Sequence, residues 1–284
     1  MTFDGSSAHP RSPVAVRSPA QHAIREFLAA QRALPGRSTR SRLLGRSPLA
    51  QSGAHWYWAA VGELEVVARL DRLGPEWFVL HGLPGPAATD GSAPSPIDHL
   101  VIGPAGVFSI SIHDHSRQNV WVSRRAFMVD GHRLQHIRRA EAAVGHVERM
   151  LEAAAGRHIR AGTIIAVIDP GSLQVRDLPK DVFVVPASTL GAWLRARERV
   201  LDPESVGELA ALTRLDTTWP DTTVATPVID VSARERERVE FDQVRREVTT
   251  ARVVRTAWAI GVTVLVTGTL VAIGILQLVT NAPV

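Results

Sequence analysis

The sequence predicts a mixed α/β domain followed by one C-terminal membrane-spanning helix. Between His55 and Leu215 apolar residues recur at helical spacing and in short runs, in the order helix, strands, helix, strand, strand, helix. Thr256 to Thr280 is then 25 consecutive residues without a charge. At about 1.5 Å per residue that run makes a helix of roughly 37 Å, enough to cross a hydrocarbon core of about 30 Å. Composition narrows the chemistry further. The 284 residues include no cysteine, which excludes disulfides, thiolate zinc sites and a cysteine nucleophile. The 32 basic residues are 31 arginines and Lys180, so any mechanism that needs a lysine must use that one.

Residues 1–51 form a basic arm. Its first 50 residues hold eight arginines against Asp4 and Glu26 and few large apolar side chains, a composition that predicts disorder. One short helix is expected inside it. Ser18, Pro19 and Gln21 read as N-cap, first-turn proline and capping-box partner, Ile24, Phe27 and Leu28 as its apolar stripe, and Pro35-Gly36 as its stop.

The domain proper spans residues 52–215. A helix from His55 to Leu73 presents Trp58, Val61, Leu64, Val67, Ala68 and Leu70 and ends at Gly74-Pro75. Strands follow at Trp77–Leu80, Ile97–Ile102 and Val107–Ile112, with a Pro/Gly/Ser/Ala loop from Leu83 to Pro96 and a tight turn at Gly103-Pro104-Ala105-Gly106. Val120–Val122 and Ala126–Val129 read as further strands, Leu134–Ala155 as a second long helix, and Thr163–Ile168 and Asp181–Val185 as buried strands. Helices at Ser188–Arg197 and Pro203–Leu215 close the domain, the second capped by Asp202 with Pro203 in its first turn.

Residues 216–232 are a Thr/Pro/Asp linker. Ser232 and Glu235 open a charged helix over 233–255, and the membrane helix occupies 256–280. Arg236, Arg238, Arg245, Arg246, Arg252 and Arg255 precede the span and residues 281–284 carry no charge, so the domain is expected in the cytoplasm of a single-pass cell-membrane protein. Ala257/Gly261 and Gly268/Ala272 give the small-residue spacing through which two such spans can associate as a homodimer.

Strand alternation places Phe108, Ile110 and Ile112 on one face and Ser109, Ser111 and His113 on the other, with Asp98 at the start of the preceding strand and Glu63 on the helix before it. Here Gly62-Glu63 and the run Ile97-Asp98-His99-Leu100-Val101-Ile102-Gly103-Pro104-Ala105-Gly106-Val107-Phe108 resemble the nuclease-related domain (NERD) family, over about Gly53 to Leu215. That family is similar to restriction-endonuclease-like folds of the PD-(D/E)xK type, and the resemblance implies a mixed sheet flanked by helices. It also implies a site at Glu63, Asp98, Ser111 and His113, with Glu63 and Asp98 as metal ligands. Two carboxylates hold a hard cation there, and a lysine stabilises developing charge. This chain departs from the pattern: the acidic position is Ser111 and the lysine position is His113. A hydroxyl is a weak ligand for Mg²⁺, and a histidine near its ordinary pKa of about 6.5 is mostly uncharged at neutral pH.

The expectation is therefore a membrane-anchored binding or scaffolding module with a degenerate nuclease site and no cofactor. The alternatives are a Mg²⁺-dependent nuclease with His113 in place of lysine, and a structural membrane partner with no nucleic-acid role. His99, His113, Asp114 and His115 form a candidate zinc site, the His113/His115 spacing putting two imidazoles on one side of a strand. Arg124, Arg125, Arg138 and Arg139, with Arg133 and Arg149, form a candidate phosphate-facing stripe for nucleic acid; Glu141, Glu148 and Glu152 would otherwise balance them on a solvated helix face.

Overall fold

The computed structural model describes residues 19–33, 37–86, 97–215, 218–219 and 231–280. The chain divides into two compact units, Met1–Gln21 with Trp58–Val228 and His22–Tyr57 with Ile229–Val284.

The first unit is built on a five-stranded sheet. Its strands are β1 (Phe78–Leu83), β2 (Ile97–Gly103), β3 (Gly106–Asp114), β7 (Ala161–Ile168) and β9 (Val182–Pro186), in the order β1-β2-β3-β7-β9. The first three are antiparallel, as expected of a hairpin closed by the Gly-Pro-Ala-Gly turn, and β3, β7 and β9 are parallel. β7 lies between two partners and reads Ala-Gly-Thr-Ile-Ile-Ala-Val-Ile, the near-continuous apolar run of a strand covered on both faces. A second sheet, ordered β6-β5-β4-β8, joins β4 (Asn119–Ser123), β5 (Ala126–Val129), β6 (His132–Leu134) and β8 (Ser172–Val175).

Alternation along the central strands sorts the helices to two faces. Val101, Phe108, Ile110 and Ile164 pack with Val66 and Leu70 of α3 (Ala54–Leu70) and with Leu190 and Leu194 of α5 (Leu190–Arg195). Leu100, Ile102 and Val107 pack instead with Val147 and Leu151 of α4 (His136–Ala155) and Leu209 of α6 (Pro203–Thr213). Farther along this second face, Ile165, Val167 and Val182 meet Val120, Val122 and Phe127 of the small sheet. Asp202 caps α6 as expected, its carboxylate accepting the Ser205 N–H at 2.7 Å.

The second unit departs from the expectation of an arm disordered around one helix. α1 (Gln21–Arg32) forms where the apolar stripe lay, burying Ile24, Phe27 and Leu28, and α2 (Thr39–Leu43) follows it. The reason is a partner more than 200 residues away in sequence. The Phe27 ring stands edge-on to Phe241 with centroids 5.7 Å apart, Tyr57 closes the cluster, and Arg25, Arg32 and Arg37 pair with Glu237, Glu240 and Glu247. The glutamates belong to α7 (Val231–Thr280), in which the charged segment and the apolar run are one continuous 50-residue helix. Its stretch Ser232–Val271 contains a window long and apolar enough to cross a membrane and buries none of it. The proposed Ser18 cap, most of the 216–232 linker, most of the loop before β2 and the tail 281–284 lie outside the described residues.

Candidate functional site

α3 comes close to the end of β7 at Gly62: a Cβ there would lie 2.1 Å from Cδ1 of Ile168. The next residue, Glu63, is drawn in with it. Its Oε1 accepts the N–H of Ala20 at 2.6 Å, and burial followed by the nearby Asp98 charge pushes its pKa up to about 7. Asp98 sits one position before the last regular β2–β3 pair, His99 opposite Ile110. There its side chain takes over from the main chain, Oδ2 accepting the Ile112 N–H at 2.8 Å. Burial raises the Asp98 pKa to about 6, and the Ile112 hydrogen bond opposes that rise. The two carboxyls thus titrate together around neutrality, each with one main-chain donor.

Ser111 and His113 share the β3 face that carries Ser109, whose hydroxyl donates to Thr163 Oγ1 at 2.9 Å. Ser111 Oγ is buried with no hydrogen-bond partner among the described residues. His113 lies in a stack of imidazoles. Its ring is 3.6 Å from that of His136, and His115 Nε2 approaches His136 Nε2 at 3.2 Å while His115 Nδ1 meets Gln118. Burial, then the neighbouring His136, His115 and Arg139, push the His113 pKa down to about 3; burial and the same kind of neighbours bring His136 to about 4. Phe127 underlies the stack, edge-on to His136. Sequence reasoning missed His136, the first residue of α4, whose place beside His113 depends on how that helix docks.

The zinc grouping separates. His99 pairs in register with Ile110 and so projects to the opposite face from His113, where its Nδ1 meets that of His81 at 2.8 Å. Asp114 accepts from the Ser116 N–H and hydroxyl. Among the described residues no group of three or more His, Asp or Glu side chains is placed to hold a metal ion. For a hard divalent cation the donors present are two carboxyls and a hydroxyl. With Ser111 in the acidic position, this set offers one carboxylate fewer than the family pattern.

Arg124, Arg125, Arg133 and Arg138 line one concavity of about 590 Å³ with Phe127, Leu134, Gln135, Ile137 and Glu141. Arg133 donates to the Arg125 carbonyl. None of the four pairs with a carboxylate among the described residues, whereas Arg157, Arg160 and Arg199 do. Arg139 is not part of this lining and acts instead on the histidine stack.

A helix glutamate and a strand aspartate thus stand close enough to couple beside a five-stranded mixed sheet. The family model described as NERD, nuclease-related domain, matches residues 58–168. The match contains Glu63, Asp98, Ser111 and His113 and ends with β7. No curated protein and no solved structure matches the chain.

Proposed function

We propose that the protein is a membrane-anchored, cytoplasm-facing NERD domain that works as a binding or scaffolding module rather than as an efficient nuclease. The observation that carries this reading is His113. At the position where the family pattern has a lysine, this chain has an imidazole stacked on another and held uncharged, two residues from a serine in the acidic position. The uncharged run of α7 and the arginines before it support the anchor and its orientation. The four arginines of the concavity, none paired with a carboxylate among the described residues, support nucleic acid as the bound partner, since guanidinium groups recognise phosphate. Gly261 and Gly268 have open space around them, which supports close approach of two spans in a homodimer.

The retained Glu63–Asp98 pair favours the second reading, a Mg²⁺-dependent nuclease, and one assay separates the two. The full chain in nanodiscs is incubated with DNA and RNA in Mg²⁺ or Mn²⁺ beside an Asp98→Ala control. The module reading expects no cleavage that the control removes. It also expects salt-sensitive binding that Arg124→Gln with Arg138→Gln weakens. Metal-dependent cleavage abolished by Asp98→Ala would establish the nuclease.

A further inference from the structure

Within the helical unit, α2 is fixed to α7 at a particular height. Trp258, the third residue of the uncharged run, donates its indole N–H to the Leu43 carbonyl at 2.8 Å. Gly45 lies against the same helix with φ +61, and a Cβ there would stand 2.5 Å from the Arg255 nitrogen and 2.6 Å from the Ala251 oxygen. A left-handed backbone and a contact this close both require glycine. The segment 43–45 is therefore laid across α7 where its last charge, Arg255, gives way to the apolar run.

At that height Gly45 is buried against α7 while both leucines before it stay exposed. Leu43 is 65% exposed and Leu44 51%, beside a Trp258 that is 55% exposed. Arg40, Arg42 and Arg46 surround them, all exposed, and none is paired with a carboxylate among the described residues. Exposed leucines, an indole at the end of a membrane-length helix and a collar of guanidinium groups form the composition that a lipid–water boundary accommodates. The alkyl groups enter the acyl margin while the cations meet headgroup phosphates.

We propose that Leu43 and Leu44 with Arg40, Arg42 and Arg46 form a second membrane contact, an interfacial pad for anionic lipid that α7 holds at the bilayer surface. This rests on the reading of α7 as a membrane span. The pad fixes how far α7 can slide through the bilayer and how it can turn about its axis.

The native chain has no cysteine, so single cysteines can be labelled cleanly in the full-length protein. Fluorophores at Leu44→Cys, Val264→Cys and Arg125→Cys are compared in phosphatidylcholine vesicles with and without phosphatidylglycerol, using shallow doxyl-labelled lipid as quencher. The Leu44 label should be quenched, severalfold more with phosphatidylglycerol, the Val264 label in both lipids and the Arg125 label in neither. Arg40→Gln with Arg42→Gln and Arg46→Gln should abolish the gain from phosphatidylglycerol. Gly45→Leu should release the Leu44 label from lipid while quenching at Val264 stays unchanged. A quenched Val264 label with an unquenched Leu44 label overturns the pad and leaves the anchor. An unquenched Val264 label overturns the anchor itself, and the pad with it. A Leu44 label shielded from aqueous iodide but not quenched by lipid, with crosslinking between copies, would assign the surface to a second chain and also overturn the proposal.

Discussion

The Glu63–Asp98 pair and the His113–His136 stack draw on neighbouring positions of β2 and β3, yet they answer burial in opposite directions. Burial lifts the carboxyls to about 7 and 6 and lowers the imidazoles to about 3 and 4. Both shifts favour the uncharged form, as desolvation requires. The consequence for function differs. The carboxyl pair still carries charge near neutral pH and keeps two family-matched positions chemically available. The His113–His136 pair is shifted the other way, and burial holds both rings in the neutral form. Burial thus leaves the carboxyl pair titrating near neutral pH and takes the imidazole pair far below it.

The largest expected effect comes from removing the floor of the stack. Phe127 is fully buried beneath His115 and His136 and belongs to the core that joins the two sheets. Phe127→Ala should destabilise the domain by about 3–5 kcal/mol through lost burial and the cavity left behind. Denaturant unfolding of the purified protein measures this. NMR titration of His136 in the same variant should show its pKa rising toward the ordinary value as water enters. A His136 pKa unchanged in a clearly destabilised variant would mean that burial by Phe127 is not what keeps the stack uncharged.

Much of this arrangement is legible in the sequence, and the exceptions have physical reasons. The β2–β3 hairpin is announced by alternation and by its glycine-bounded turn, and β7 by its unbroken apolar run. The three-residue β6 and four-residue β8 give no such signal. His132, Arg133, Gln174 and Val175 are exposed there, so little apolar pattern remains to read. The stripe on α1 was visible, but its partner Phe241 was not, because periodicity shows that a face is buried and never against what. At the site, the proximity of Glu63 to Asp98 came only through family resemblance. His113 was expected to be mostly neutral from its ordinary pKa. The structure lowers that pKa further by adding His136, which lies 23 positions away and carries no local signature.

A smaller effect tests the carboxyl half. Glu63 has a folded-state pKa of about 7 against an ordinary 4.5, so the folded state binds its proton more tightly than the unfolded state does. Its ionisation therefore costs stability progressively as pH rises from about 4.5 through about 7, and the cost is absent below that window. Glu63→Gln keeps an oxygen for the Ala20 N–H and removes the ionisation. The variant should be more stable than the native chain by about 3 kcal/mol near pH 8, with the difference shrinking toward zero by about pH 4. Urea midpoints across that range measure it. A constant difference at every pH would mean that Glu63 is not held protonated by burial beside Asp98.

The smallest effect tests the histidine half, and its sign is opposite. His136 has a folded-state pKa of about 4 against an ordinary 6.5, so the unfolded state binds the proton more tightly. The associated stability is fully present above about pH 6.5 and is lost as pH falls toward 4. His136→Phe keeps an aromatic ring between His113 and Phe127 but cannot take up a proton in either state. At pH 7 it loses the contact with His115 Nε2 and should cost about 1 kcal/mol. Near pH 5 the removed proton linkage should offset that cost by about 1–2 kcal/mol, so the variant equals or exceeds the native chain. Crossing stability curves between pH 7 and 5 are thus expected for this substitution, whereas the Glu63→Gln curve separates from the native one as pH rises. Parallel curves for His136→Phe would show that the stack is not kept neutral by its burial, and the contrast between the two halves of the site would then fail.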